Sequence, residues 1–327
     1  MAQEFREVSS TLQEVVAKAA RQFPVGEVGE IAQVYSKGIP TSCFRVVSGS
    51  GTFALHLFAR GPQKRIESVL SMQARLANGG VPCPRPLPSR AGAYSALSPG
   101  GIAGVVEWVE GPLLAESCHS TPECIGRIAA QLHSVSGSVP GPEPTIPPIR
   151  IFLSKIRNST RVCDKCGRES LCSWIEGVLE TIPPPGIGHC GLIHNDIHHR
   201  NIVVPPAGTP HLIDFANCEH NLLVKDIGVA LFYVLQVAEE GSSSEISRLL
   251  NSYLGIRRLA ETAISDAVHC LRLKALEFTA WQLLRHARHE VRGSAVTSAR
   301  DLAARIEKIV EGPPSNAPFA PVPEGVK

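Results

Sequence analysis

Two aspartates, an asparagine and a histidine stand close together in Leu192-Ile-His-Asn-Asp-Ile-His-His-Arg-Asn-Ile-Val-Val204 and His211-Leu-Ile-Asp-Phe-Ala216. Taken singly, each is an ordinary loop residue. Taken together, His194-x-Asp196-x4-Asn201 followed by Asp214 has the spacing of a loop that transfers a phosphoryl group. That chemistry needs one carboxylate beside an acceptor hydroxyl to take its proton. It needs a second carboxylate and an amide oxygen to hold magnesium, which prefers hard oxygen ligands. Asp196 is then the candidate catalytic base, and Asn201 and Asp214 are the candidate metal ligands. His194 orients the loop backbone. Glu277 and Trp281 lie four apart on one helix face and are candidates for an acceptor pocket, since a carboxylate beside an aromatic face suits a cation.

These residues need a scaffold to bring them together. Asn201–Val204, a turn over Pro205–Pro210, and His211–Ile213 read as a small hairpin, which returns Asp214 to the end where Asn201 stands. Upstream, Val8 to Ala19 repeats near a helical period and stops at Pro24. Ile31–Tyr35, Cys43–Val47 and Thr52–Ala59 read as three strands, punctuated by Gly38-Ile-Pro40 and Ser48-Gly-Ser-Gly51. Ile66–Asn78 is a helix closed by Gly79-Gly80. Ala93–Leu97 and Gly104–Val109 are two more strands. After Gly111 helices dominate: Thr121–Ser134, an interrupted Leu153–Ile182, Val224–Glu239, Ser243–Leu254, Arg258–Glu290 and Ser294–Glu311. The expected architecture is α+β. Residues 1–110 form a strand-rich lobe, residues 111–312 a helical lobe, and residues 313–327 a loose proline-rich tail.

The composition narrows the partners. The chain has 327 residues, 43% of them hydrophobic and 19% charged, with a formal net charge of +2. It is too apolar for disorder and too near neutral for a nucleic-acid grip. No apolar run is long enough to span a membrane, and the amino terminus lacks a basic start and an apolar block. The expected setting is the cytoplasm, where the ten cysteines are reduced thiols.

At the catalytic loop and Ile213-Asp214-Phe215 the chain resembles the aminoglycoside phosphotransferase and choline kinase-like superfamily, small-molecule kinases with a protein-kinase-like two-lobed fold. The resemblance runs from about Gly29 to Glu311. It implies ATP and Mg2+ as cofactors, with nucleotide and a small hydroxylated acceptor as partners. The acceptor is left open among amino sugars, amino alcohols, hydroxy-amino acids and sugars. Gly79-Gly-Val-Pro-Cys-Pro84 resembles the link after the first-lobe helix, and Leu132-His133 the pair before the connector. Val106-Glu-Trp-Val-Glu-Gly111 resembles the hinge, which assigns nucleotide contacts to Glu107 and Val109. Asp226 resembles the aspartate that supports the catalytic loop. Only eleven residues separate Asp214 from Asp226, which leaves no room for the peptide platform of a protein kinase.

One departure matters. Where the family carries a Lys or Arg on the third strand, Phe53-Ala-Leu-His-Leu-Phe58 has His56, a poor phosphate counter-ion when neutral. Arg60 shares its face by strand alternation and is the candidate substitute, with Glu67 on the next helix as partner of whichever cation is used. The turn Gly38–Ser42 would cover the phosphates. His56 also motivates an alternative, a non-catalytic nucleotide-binding protein. A remoter alternative is an iron-dependent oxygenase using His194, Asp196 and a distant His269. Finally, Cys163, Cys166 and Cys172 are a candidate zinc cluster, with His189 or Cys190 as fourth ligand.

Overall fold

Strand β4 (Gly51–Phe58) shows how the first unit is built. Successive side chains of a strand point to opposite faces. Phe53, Leu55 and Leu57 enter a core with Val16, Ala19 and Phe23, on or just after helix α1 (Ser10–Ala20). Ala54 and Phe58 face the other way, toward Ile66 and Leu70 of helix α2 (Gln63–Asn78). His56 shares that second face by alternation.

The computed structural model describes residues 4–36, 39–58, 61–114, 121–137, 149–158, 168–181, 189–206, 208–238, 243–259, 261–287 and 293–310. Arg60, Cys163, Cys166 and the 313–327 tail lie outside the described residues. The chain divides into two compact units. The first comprises residues 1–121, 131–143 and 197–220; the second comprises 122–130, 144–196 and 221–327.

The first unit contains one antiparallel sheet, ordered β1-β2-β3-β4-β6-β5. Its strands are β1 (Glu4–Glu7), β2 (Val28–Ser36), β3 (Ile39–Ser48), β4, β5 (Ser95–Ser98) and β6 (Gly101–Glu107). The edge strand β1 had no counterpart in the sequence reading, because four polar-flanked residues carry too little pattern. Ile39–Ser42, expected in a phosphate-covering turn, belong to β3, with Ile39 opposite Ser36 and Pro40 opposite Tyr35. The turn itself is residues 37–38, outside the described residues. Helix α2 ends as its sequence dictates. Gly79 is the cap, Gly80 takes a left-handed φ of 88°, and Val81 N donates to Leu76 O. Gly104 on β6 lets this helix approach: a Cβ there would lie 2.6 Å from Leu70 Cδ1.

The hairpin between Asn201 and Asp214, β8 (Ile202–Val203) against β9 (His211–Leu212), belongs to the same unit. Leu114 N donates to Ile202 O, Val204 N to Pro112 O, and Leu212 N to Pro82 O. Gly111, at φ 142°, passes so close to Val204 O that no side chain fits.

The second unit is helical: α4 (Ile149–Arg157), α5 (Arg168–Thr181), α6 (Leu223–Val237), α7 (Ser243–Leu254), α8 (Glu261–Ala287) and α9 (Gly293–Val310), with most of α3 (Thr121–Ser136) and strand β7 (Cys190–Ile193). Leu153, Ile156, Ile175, Leu276 and Leu283 make one of its cores. A nearly buried ion pair, Arg272 to Glu307 at 2.6 Å, ties α8 to α9. Helix α6 is seated on α8 at Gly228, where a Cβ would stand 2.6 Å from both Cys270 Cβ and Leu271 N. Ala267 O would be a third neighbour at 2.7 Å, and two of the three are backbone atoms, which cannot rotate away. Gly228→Ala should therefore lower the unfolding free energy by about 1–3 kcal/mol, the range for overpacking a tight contact. Urea unfolding measures it, and an unchanged midpoint would mean that the two helices slide apart freely.

Candidate active site

Asp226 organises the loop in the second unit. It is fully buried in the first turn of α6, and its two oxygens accept from His194 N at 2.7 Å and Asn195 N at 2.6 Å. A buried carboxylate is tolerated when charge-assisted hydrogen bonds replace its water, and the helix N-terminus favours its charge. Asn195 is held at φ 64°, a left-handed conformation that few side-chain-bearing residues adopt. Asp196 follows directly. Its Oδ1 accepts from the Tyr233 hydroxyl at 2.7 Å. Asp226 and Tyr233 are seven apart on α6, so one helix face holds both the loop backbone and the candidate base. The histidine side chain of His194 is buried, and its backbone N–H is what Asp226 holds.

In the first unit, Asn201 is buried at the end of a 3-10 turn, and Ile213 N donates to its carbonyl at 2.8 Å. Asp214 is exposed at the hairpin's exit, also left-handed at φ 63°. Strained positions of this kind cluster at functional sites. Asn201 and Asp214 offer an amide and a carboxylate oxygen, the hard donors that a magnesium ion prefers.

His56 is half-buried on β4, directly across from Cys43 on β3, with Cys43 Sγ 3.9 Å from its Nε2. Burial lowers the imidazole's pKa, and the charge of Asp214 pulls it partly back up. The Cys43 thiol is pushed up to about 12, by burial first and then by Asp214. His56, Cys43 and Asp214 therefore share one electrostatic neighbourhood, with the imidazole and thiol both held toward their neutral forms. Cys43 was not singled out by sequence.

Several expectations are corrected. Glu67 does not wait for a cation. Its carboxylate accepts from Ser95 N and Oγ, each at 2.7 Å, from Tyr94 N at 3.0 Å and from Ser71 Oγ at 3.3 Å, tying α2 to the start of β5. Trp281 is 43% exposed, and the Arg285 guanidinium lies over its ring at 4.7 Å, so that face already holds a cation. Glu277, four residues earlier on α8, is half-buried. Cys172 is fully buried among Leu153, Ile175 and Leu276, where it packs as a small apolar group rather than facing a zinc ion. Cys190 and His189 are exposed, and no cluster of three metal-ligating side chains occurs among the described residues. His269 lies on α8, an all-helical setting that offers the oxygenase alternative no β-barrel. Glu107 closes β6: its N donates to Arg85 O at 2.9 Å and its Oε2 accepts from Arg85 N at 3.2 Å, while Val109 is half-buried. A cavity of about 520 Å³ between α6, α8 and α9, lined by Gln236, Phe278, Gln282 and Arg305 among others, contains none of the predicted site residues.

Comparison with known proteins shows the family. Residues 32–263 match the model of the phosphotransferase enzyme family, so the chain belongs to that family. It is a small-molecule kinase with an alcohol group as acceptor. Among curated relatives, a homoserine kinase of Methylobacillus glycogenes is 22% identical over 260 residues, covering 78% of this chain and 80% of the relative. A homoserine kinase of Rhizobium meliloti (strain 1021) is 25% identical over 268 residues, covering 77% and 79%. Among solved structures, an amicoumacin kinase bound to AMP-PNP and Ca2+ superposes with a TM-score of 0.69 at 16% identity, covering 90% of this chain and 93% of that one. A choline kinase from Streptococcus pneumoniae gives 0.64 at 15% identity, covering 91% and 99%. The fold is the protein-kinase-like α+β fold. Among the described residues no helix is long and apolar enough to cross a membrane.

Two outcomes follow. Burial pulls the Glu67 carboxyl upward, but its hydrogen bonds to Tyr94, Ser95 and Ser71 outweigh that and hold it below the ordinary range. Its stabilisation is therefore present above the ordinary Glu pKa of about 4.3 and lost as pH falls through the lowered value. The stability gap between the wild type and Glu67→Gln should be widest at neutral pH and close in acid. A gap independent of pH in urea titrations would contradict it. Asp226→Asn leaves one loop amide facing an NH2 group, and kcat should fall by roughly 10–100-fold, the scale of a loop displaced by a fraction of an ångström to one ångström. Steady-state kinetics read it, and an unchanged kcat would show that the fork does not position the loop.

Proposed function

We propose that this protein transfers the γ-phosphate of ATP to a hydroxyl of a small molecule, with Asp196 as base and Asn201 and Asp214 holding Mg2+. The observation that carries the reading is the presentation of Asp196: two amides pinned by buried Asp226, a left-handed Asn195, and a tyrosine hydroxyl on one carboxylate oxygen. The proposed working division is a nucleotide lobe, residues 1–110, and a catalytic and acceptor lobe, residues 111–312. The acceptor belongs to the amino sugars, amino alcohols, hydroxy-amino acids or sugars; the relatives, homoserine and choline kinases among them, support this range.

Asp196 accepts the proton of the acceptor hydroxyl while its oxygen attacks the γ-phosphorus, the bond to the β–γ bridging oxygen breaks, and ADP leaves. Asn201 and Asp214 would hold the metal, which would supply neutralisation of charge on the phosphates. Tyr233 keeps the Asp196 carboxylate oriented by occupying Oδ1. His56, held toward its neutral form, contributes a hydrogen bond at most, in place of the charge that a lysine brings.

Asp196→Asn should cut transfer by at least about 100-fold, the usual worth of a positioned base, and leave MgATP binding largely intact. Asp214→Ala should weaken MgATP binding as well. Coupled ATP-consumption assays and nucleotide titration separate the two. Full transfer in the Asp196→Asn protein overturns the assignment. Nucleotide binding without any transfer by the wild type would favour the non-catalytic alternative that His56 suggests.

A further inference from the structure

We propose that Lys274 forms the anion-recognising end of the acceptor site, so that the acceptor is a small hydroxy acid bearing a free carboxylate, a hydroxy-amino acid above all. The proposal deepens the functional reading and rests on Asp196 being the base. It starts from a chain of contacts inside the second unit. Asp196 accepts from the Tyr233 hydroxyl at 2.7 Å, and the Lys274 ammonium lies over the same tyrosine ring, 5.6 Å from its centroid. Lys274 is half-buried on α8 and has no carboxylate within ion-pair distance among the described residues.

Partial burial strips water from an ammonium, and one tyrosine face returns only part of what is lost. A carboxylate would supply the rest, as Glu307 on α9 does for Arg272, which shares α8 with Lys274. Lys274 instead stands one aromatic ring away from the candidate base and is not paired with it. The pairing proposed is chemical: the hydroxyl of a short acceptor to Asp196 and its carboxylate to Lys274, the two groups that share Tyr233. An acceptor that is purely cationic would bring like charge toward the ammonium. The aromatic face that would have suited such a cation, Trp281, already carries Arg285 at 4.7 Å. Helix α8 thus presents two cations to aromatic faces, Lys274 to Tyr233 of α6 and Arg285 to its own Trp281.

Three matched acceptors isolate the group that matters: homoserine, its decarboxylated counterpart aminopropanol, and its deaminated counterpart gamma-hydroxybutyrate. With the full-length protein and MgATP, homoserine should exceed aminopropanol in kcat/KM by at least about tenfold, the scale of one charge-assisted contact. Gamma-hydroxybutyrate should also outrank aminopropanol. Lys274→Met should raise KM for homoserine far more than it lowers kcat, Lys274→Arg should restore much of the loss, and Lys274→Glu should turn the preference toward aminopropanol. Thermal melting confirms that each variant folds. Calorimetric titration of the three compounds into the MgADP complex reads recognition apart from chemistry. Carboxylate-dependent binding that vanishes in Lys274→Met upholds the proposal even where no phosphate moves, a result that would overturn the kinase reading alone. Preference for aminopropanol, binding indifferent to Lys274, or no binding of any of the three overturns the proposal and leaves Asp196, Asn201 and Asp214 to be judged by their own variants.

Discussion

The candidate catalytic loop depends on one buried carboxylate. Asp226 has no solvent contact, and both its oxygens are committed to consecutive backbone amides, those of His194 and Asn195. Each such bond is worth on the order of 1.5–3 kcal/mol, and removing the carboxylate would leave two buried donors unsatisfied. That energy holds Asn195 in a left-handed conformation, which turns the chain so that the next residue, Asp196, leaves the strand direction. The carboxylate in turn is only as well placed as α6, and α6 is only as well placed as its contact with α8 at Gly228. The absence of one side chain there is thus a condition for the position of the proposed base.

The first unit solves a different problem, the placement of small polar groups on a sheet otherwise built from apolar residues. The two-residue turn Gly49-Ser50 pairs Ser48 with Gly51, and every pair farther along follows from it: Val46 with Phe53, Phe44 with Leu55, Cys43 with His56. Slipping the register by one would move His56 away from Cys43 and put Phe53 and Leu55 on the wrong side of the sheet. The hydrophobic faces therefore enforce the placement of the imidazole. What stands on that face is two groups held neutral beside the charge of Asp214. A lysine at the same point would bring a permanent charge; the imidazole brings a donor or acceptor whose role depends on what binds.

Much of this was legible in the chain, and the rest was hidden for identifiable reasons. The periods of α2, α6 and α9 and the hairpin that carries Asn201 and Asp214 follow from local pattern, which the same residues express in any environment. The opposition of Cys43 and His56 was also readable, since the turn was visible and fixes the register, but it required counting across strands rather than along one. Glu67 could not be read. Its partners are the backbone amides of Tyr94 and Ser95, and nothing in a sequence marks which amides a carboxylate will reach. Cys172 looked like a metal ligand because of its neighbours in the chain, yet its helical phase turns it into the core among Leu153 and Leu276. Tyr233 left a fainter trace: it lies two helical turns after Asp226 and so on the same face, a signal that becomes meaningful once Asp226 is known to face the loop.

The contact between Tyr233 and Asp196 bears on how a proposed base can be both held and left reactive. A carboxylate must be oriented, and the group seen doing so is the Tyr233 hydroxyl, whose ring also carries the Lys274 ammonium. Direct pairing with an ammonium favours the ionised carboxylate and so reduces its tendency to take a proton. A neutral hydroxyl orients the group with a smaller penalty of that kind, and it engages only one of the two oxygens. Interposing the tyrosine ring keeps the cation close enough to act on a bound acceptor and separate from the base itself. The second unit thus uses α6 to hold the carboxylates and α8 to supply the positive charge, with an aromatic layer between them. Collapse of that layer would let the opposite charges neutralise each other, which makes the tyrosine's ring as important to the arrangement as its hydroxyl.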